Sequence, residues 1–129
     1  MIPFRVDFRP GTPVYEQVVY AATKAIVSGR MKAGDPFPSV RALSKEFKIN
    51  PNTAHKVVAQ LLSARLIESR SGVGTVVAAL REGSVEDKTQ LMGTEIERLV
   101  VEAKRLGLKV DDLFVSISKH WKRMHDARS

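Results

Sequence analysis

Two helix starts lie close together in the middle of this chain, and the short stretch between them limits the fold more than any other feature. Ser39 follows a proline in residues 37–43 (FPSVRAL), and its hydroxyl can accept a hydrogen bond from a free backbone N–H of a helix that begins there. Asn50 and Pro51 mark the second start, because asparagine caps a helix and proline fits its first position without losing a hydrogen bond. Only a short helix and a turn fit between them, which is the spacing of a helix-turn-helix.

A β-hairpin is predicted directly after the second helix of this motif. Residues 66–70 and 75–77 are rich in β-forming side chains and flank the glycine-containing residues 71–74 (SGVG), which favours a tight turn between two strands. The order is that of a winged helix-turn-helix, which presents its second helix to a DNA groove.

A strand and an amphipathic helix are predicted upstream of the motif. Apolar and polar residues alternate over residues 2–8, as in a short strand. Thr12 is expected to cap a helix with Pro13 at its first position, and Gly29 is expected to end it. Apolar residues recur along one face of this helix: Tyr15, Val18, Val19, Ala22, Ala25 and Ile26.

The second helix of the motif divides into a core face and a polar face. The core face comprises Ala54, Val57, Val58, Leu61 and Leu62. The polar face carries residue types that read DNA, since asparagine pairs with adenine and lysine reaches guanine or phosphate. Its members are Asn52, Thr53, Lys56 and Gln60, with His55 beside them. Such a face on its own could be an ordinary solvated surface, but its place in a helix-turn-helix favours contact with DNA.

Two further helices of about 18–20 residues are predicted beyond a boundary at residues 82–84, where Ser84 and Asp87 resemble a capping box. Apolar residues follow a heptad-like spacing of 4-3-4-3 on both sides of a break at Gly107. They are Met92, Ile96, Leu99, Ala103 and Leu106 before the break and Val110, Phe114, Ile117, Trp121 and Met124 after it.

These two helices carry more apolar surface than one mutual seam can cover. A hairpin packed on its own winged domain would hide part of it, but patches of this size usually meet a partner, and symmetric dimers are the commonest solution. A homodimer is therefore predicted. Its contacts are expected at Ile96, Leu99, Val100, Ala103, Leu106, Leu113, Phe114, Ile117 and Trp121.

The positive charge is concentrated on the helix-turn-helix segment. The chain carries a net +7, and residues 12–79 hold nine basic and four acidic side chains, a net +5. This coincidence favours a polyanion, most simply double-stranded DNA, as the partner.

The composition also argues against other classes of protein. There are no cysteines, and no apolar run approaches the roughly 20 residues of a membrane span, so a cytoplasmic protein without membrane contact is expected. No cofactor and no metal site are expected, because His120 and His125 are spaced poorly for two ligands of one metal. No nucleophile–histidine–carboxylate arrangement or nucleotide fingerprint indicates an enzyme.

The predicted fold is therefore mostly α with a small β-hairpin. An N-terminal strand or arm is expected at residues 1–11, a winged helix-turn-helix DNA-binding domain at residues 12–79, and a two-helix dimerisation hairpin at residues 80–129.

Four motifs in order and spacing resemble the GntR family of bacterial transcription regulators. Residues 13–18 (PVYEQV) are similar to its opening helix, residues 29–43 to its loop and second helix, residues 50–53 to its recognition helix and residues 72–75 to its wing. The short tail around residues 103–108 resembles the YtrA subfamily. The resemblance implies a dimeric repressor, often of transporter operons, whose tail is the dimerisation module.

The resemblance also implies which residues contact DNA. The predicted contacts are Ser39, Arg41, Asn50, Asn52, Thr53, His55, Lys56, Arg70, Ser71 and Gly72. Two of them depart from the family pattern: His55 stands where a small polar residue is common, and Lys56 stands where arginine is common. Lysine lacks the bidentate fork of arginine, so the operator sequence of this chain can differ from those of family members that carry arginine here.

The preferred interpretation is a sequence-specific DNA-binding transcription regulator, a repressor that acts as a homodimer on a two-fold-symmetric operator. An architectural DNA-binding protein is the main alternative, and it would show little sequence preference in competition with random DNA. A further alternative is a winged-helix module that binds another protein, which would show no DNA binding at low salt. The sequence names neither the regulated genes nor a small-molecule effector.

Overall fold

The computed structural model describes residues 2–124. These residues form two compact units, one that ends at Leu80 and one that spans Arg81–Met124. The first unit contains helices α1 (Val14–Val27), α2 (Val40–Phe47) and α3 (Pro51–Ser63) and strands β1 (Ile67–Arg70) and β2 (Gly74–Val77). The second contains α4 (Val85–Gln90), a π-helical turn (Leu91–Glu95), α5 (Ile96–Arg105) and α6 (Val110–Arg123). The predicted fold class, mostly α with one small hairpin, is confirmed.

Both predicted caps of the helix-turn-helix form as expected. The Ser39 hydroxyl oxygen accepts a 3.0 Å hydrogen bond from the Ala42 N–H, and the Asn50 side-chain oxygen accepts one of 2.7 Å from the Asn52 N–H. The turn between the helices is closed by the Ser44 hydroxyl, which donates a 2.6 Å hydrogen bond to the Ile49 carbonyl. Local side-chain chemistry thus fixes where α2 ends and where α3 begins.

The core of the first unit lies where α1 and α2 pack on α3. Helix α1 contributes Val18, Ala22 and Ile26, all of which are buried. Leu43 is the buried residue of α2, and the predicted core face of α3 is buried at Ala54, Val57 and Leu61. With its apolar side held in this core, α3 keeps its other side exposed.

The N-terminal segment is not a strand, so that prediction is wrong. Its alternation reflects packing on the core instead: Phe4 is buried, and its ring centroid lies 6.2 Å from that of Phe37 and 5.7 Å from that of Phe47. No described strand pairs with the segment. The side chain of Gln17 holds it instead, because its oxygen accepts from the Arg9 N–H at 2.8 Å and its amide donates to the Arg9 carbonyl at 3.0 Å.

Thr12 does not cap α1, which corrects a second prediction. Pro13 occupies the position that precedes the helix, and no side chain caps it. The backbone carbonyl of Thr12 accepts a 2.9 Å hydrogen bond from the Gln17 side chain, so Gln17 orders this helix entrance. Gly29 follows the helix with a φ of 80°, in the left-handed region that glycine tolerates, as a helix end requires.

The hairpin has the predicted turn and one unpredicted neighbour. Strands β1 and β2 pair antiparallel, with Ile67 opposite Val77 and Arg70 opposite Gly74. Residues 34–37, which precede α2, run along the other edge of β2. The Phe37 N–H donates to the Thr75 carbonyl at 2.9 Å, and the Gly34 N–H donates to the Val77 carbonyl at 2.8 Å. The segment before α2 and the wing are therefore joined by backbone hydrogen bonds.

The second unit differs from the expected pair of equal helices. Ser84 caps α4 by accepting a 3.1 Å hydrogen bond from the Asp87 N–H, and helical structure then runs from Val85 to Arg105 through the π-helical turn. Helix α6 is shorter than predicted, since it ends at Arg123. Within residues 81–124, few Cα atoms of α6 come close to those of α4 or α5, and most apolar residues of both heptad-like seams are exposed.

Candidate nucleic-acid interface

The first turns of α3 expose the predicted base-reading residues. Asn52, His55 and Lys56 are exposed, and Thr53 is half-buried. Because Ala54 and Val57 are wholly buried on the opposite side, helical spacing fixes which way this face points. The Asn50 side-chain oxygen is engaged in the cap, and its amide N–H groups stay available to donate. The exposed face therefore centres on Asn52 and Lys56.

Lys56 makes a contact that the sequence did not predict. Its Nζ lies 3.8 Å from the centroid of the Tyr15 ring on α1, a distance at which an ammonium is attracted by the face of an aromatic ring. Tyr15 is half-buried against the core. Sequence reasoning placed Tyr15 only on the core face of α1, because a contact between two helices distant in the chain leaves no local signal.

The start of α2 supplies a second cation. Arg41 is exposed in the first turn of the helix, where unpaired backbone N–H groups favour an anion such as a phosphate. The Ser39 oxygen already accepts a hydrogen bond from the helix, but its O–H proton stays available to donate. Arg41 and Ser39 could thus contact one stretch of a nucleic-acid backbone.

The wing tip exposes Ser71, Gly72 and Val73. The Val73 N–H donates a 3.1 Å hydrogen bond to the Arg70 carbonyl, and Gly72 at the centre of the turn has a φ of 76°, a conformation that glycine adopts without strain. The Val73 side chain is 69% exposed, and the sequence assigned it no role. An apolar side chain at this tip suits contact with sugars in a groove.

The cations of the first unit are mostly unpaired. Among residues 2–80, only Arg70 forms an ion pair, at 3.0 Å to Glu68, and both side chains are about half exposed. An exposed pair of this kind contributes little stability, so Arg70 can exchange Glu68 for a phosphate at low cost. Within residues 2–124, Arg41 and Lys56 have no carboxylate partner to give up.

The second unit leaves most of its apolar side chains in solvent. Of the eighteen large hydrophobic residues exposed in the described chain, thirteen lie within residues 81–124. The predicted dimer contacts divide by burial: Ala103 is buried, Ile96 and Leu113 are half-buried, and the rest are exposed. The exposed ones are Leu99, Val100, Leu106, Phe114, Ile117 and Trp121.

Two ion pairs join neighbouring side chains of the second unit, Lys88 with Glu82 at 3.0 Å and Arg105 with Glu102. The Arg105 guanidinium donates hydrogen bonds to the Glu102 carboxylate. These bonds lower the pKa of Glu102 and raise the pKa of Arg105. The Lys109 N–H donates a 2.8 Å hydrogen bond to the Asp112 carboxylate, which orders the start of α6 although lysine is not a capping residue.

Metal ligation and membrane insertion find no support in the described residues. Within residues 2–124 no three or more histidine, cysteine, aspartate or glutamate side chains are grouped to hold a metal ion. His125, considered above as a partner of His120, lies outside the described residues. No helix in the same range is long and apolar enough to cross a membrane.

Known proteins match both the sequence and the fold. The sequence profile of a family described as bacterial regulatory proteins, gntR family, matches residues 14–77. The HTH-type transcriptional repressor YtrA of Bacillus subtilis (strain 168) is 32% identical over 110 residues, which cover 84% of this chain and 85% of that relative.

Two solved structures extend the likeness along the tail. A GntR family transcriptional regulator from Listeria monocytogenes is 25% identical with a TM-score of 0.64, and the match covers 87% of this chain and 98% of that one. A transcriptional antiterminator from Listeria monocytogenes EGD-e has a TM-score of 0.79 over 91% of this chain and 88% of its own, at 23% identity. The latter supports the fold alone.

Proposed function

The chain belongs to the gntR family of bacterial regulatory proteins, and we propose that it is a repressor that binds a two-fold-symmetric operator as a homodimer. Membership makes it a DNA-binding transcription regulator, as the resemblance implied, and not an enzyme. The repression, the operator symmetry and the dimer are the steps that the proposal adds.

The observation that carries the proposal is the exposed face at the start of α3. Asn52 and Lys56 stand free of the core, on the second helix of a helix-turn-helix, which such domains insert into the major groove. Asn52 would read adenine, and Lys56 would contact guanine or a phosphate. Thr53 and His55 complete this surface.

Residues outside α3 would position that helix on the duplex. Ser39 and Arg41 would contact phosphates from the start of α2, and the wing residues Arg70, Ser71 and Gly72 would contact the backbone or the minor groove beside it. Phosphate contacts fix register without reading sequence. The unpaired cations of this unit support that role.

The proposed domain division assigns DNA binding to residues 12–79, with residues 1–11 as an N-terminal arm, and dimerisation to residues 80–129. Exposed apolar residues on α5 and α6 support a partner for this tail, because water-exposed surface of this extent is rare on a monomer. A second copy covers it symmetrically, and residues 80–129 carry ten basic and nine acidic side chains, so net charge does not oppose the pairing.

The proposal also includes where the regulator acts and which genes it controls. The regulator acts in the bacterial cytoplasm, where its DNA target lies, and the likeness to the YtrA subfamily favours a transporter operon as the target. We assign no small-molecule effector.

The test is recovery of genomic fragments retained by the full chain, followed by footprinting of the enriched site. Two protected half-sites in inverted orientation are expected, with centres about one helical turn apart or somewhat less, since two α3 helices must enter the groove from one face of the duplex. Retention of fragments that share no sequence would favour the architectural alternative instead.

A further inference from the structure

Tyr15 gives Lys56 a defined position on the exposed face of α3. The Lys56 Nζ lies 3.8 Å from the centroid of the Tyr15 ring, well inside the roughly 6 Å over which such contacts are attractive. Tyr15 is half-buried and packs against the core, whereas Lys56 is exposed. The ring is therefore the fixed partner, and the flexible lysine is the side chain that becomes ordered.

The surroundings leave the ammonium free to bind an anion. Lys56 forms no ion pair with any carboxylate of residues 2–124. The nearest acidic side chain along α1, Glu16, accepts a 3.4 Å hydrogen bond from the Tyr15 hydroxyl. An ammonium has three N–H donors, and the ring occupies only one side of it, so the remaining donors stay open to solvent.

We propose that Tyr15 is a positioning residue for DNA binding, whose ring holds the Lys56 ammonium ready for a phosphate or base edge. The proposal rests on the proposed function, because it requires that α3 contacts DNA. A flexible side chain loses rotamer freedom when it is immobilised in a complex, and a side chain ordered beforehand loses less. Tyr15 thus strengthens binding without touching the duplex.

The test compares variants of the full chain that keep or remove the ring. Tyr15→Phe keeps the aromatic face, and Tyr15→Leu removes it. Tyr20→Leu is the matched control, since Tyr20 lies on the same helix and is 66% exposed, and no cation of the described residues lies over its ring. The probes are a duplex of about 30 base pairs selected from a random library by the parent chain, long enough for two half-sites, and an unselected duplex.

Tyr15→Leu is expected to weaken binding of the selected duplex by about three- to tenfold. Tyr15→Phe and Tyr20→Leu are expected to bind like the parent. In a Lys56→Ala background, Tyr15→Leu should have no further effect, because the contact through which it acts is gone. In the free chain, proton NMR should show ring-current shifts of the Lys56 side chain that Tyr15→Phe retains and Tyr15→Leu abolishes.

Three results would overturn this inference without overturning sequence-specific DNA binding. Equal losses from Tyr15→Leu with and without Lys56 would mean that Tyr15 acts only through the fold, and tighter binding by Tyr15→Leu would mean that the ring withholds Lys56 from DNA. If Lys56→Ala leaves affinity unchanged in a chain that prefers its selected duplex, Lys56 is no contact and the inference falls with it. Failure of the parent to prefer any duplex would instead overturn the proposed function.

Discussion

At the scale of single residues, the caps of α2 and α3 act on stability through one hydrogen bond each. Ser39→Ala and Asn50→Ala would each leave a backbone N–H of the following helix unpaired. Each substitution should lower the free energy of unfolding by about 1 kcal/mol, measured from the urea midpoint. Ser116→Ala is the matched control, because Ser116 is exposed within α6. A control as destabilised as the cap variants would contradict this account.

The proposed DNA contacts on α3 should separate by the kind of contact that each residue makes. Asn52→Ala should weaken binding to the operator and relax base preference, because a good base-reading contact is worth roughly 1–3 kcal/mol. Lys56→Ala should weaken binding as well. If Lys56 contacts a phosphate, the loss extends to all sequences and the salt dependence becomes shallower by about one counterion.

The measurement is a titration of the selected and random duplexes at several salt concentrations. Lys119→Ala is the control for removal of one positive charge, since Lys119 is exposed on α6, in the other unit. Parental affinity and base preference in both α3 variants would show that α3 is not the reading helix.

At the scale of elements, local chemistry predicted most of the helix-turn-helix. The caps at Ser39 and Asn50 and the glycine turn of the wing each depend on neighbours within a few residues, so the sequence displays them directly. The candidate face of α3 was predictable for the same reason, because a regular helix fixes which residues lie opposite a buried side.

The structural features that were not predicted from the sequence depend mostly on contacts between residues far apart in the chain. Residues 2–8 alternate like a strand, but a strand needs a sheet edge to pair with, and Phe4 packs against Phe37 and Phe47 instead. The backbone pairing of residues 34–37 with β2 and the stacking of Lys56 on Tyr15 also join segments far apart in the chain. Heptad spacing predicts neither the π-helical turn nor the end of α6 at Arg123. It indicates which residues share a helix face, not where a helix changes geometry or ends.

The packing of the N-terminal segment gives a test at this scale. Phe4→Ala should lower the free energy of unfolding by about 3 kcal/mol, since Phe4 is buried among aromatic rings and its removal leaves a cavity. Phe8→Ala is the matched control: Phe8 is 43% exposed, and its loss should cost about 1 kcal/mol or less. Urea unfolding of the two variants measures both. Similar costs would mean that the segment is not anchored through Phe4.

At the scale of the whole molecule, the exposed apolar residues of the tail predict a dimer in solution. Light scattering should give twice the 14.3 kDa chain mass at micromolar concentration. Phe114→Glu should raise the dimer dissociation constant by at least about 100-fold, because a two-fold interface contains each substitution twice and an aromatic anchor is a typical hot spot.

Val85→Glu is the matched control for an added charge, since Val85 is 78% exposed and lies outside the predicted contacts. It should leave the mass unchanged. A monomer mass for the parent chain, or an unchanged dimer after removal of residues 84–129, would contradict the assignment of the tail.

The central claim is that the paired α3 helices read a specific DNA sequence, and its most direct test is the ratio of operator to random-DNA affinity at one salt concentration. Salt dependence alone does not distinguish a specific regulator from an architectural DNA-binding protein. In either case, six or more phosphate contacts reduce affinity by about 10³ or more between roughly 50 and 200 mM salt. The account predicts a ratio of at least about 10³, the low end for specific regulators. A ratio near one, for every site recovered from the genome, would contradict it and favour an architectural DNA-binding protein.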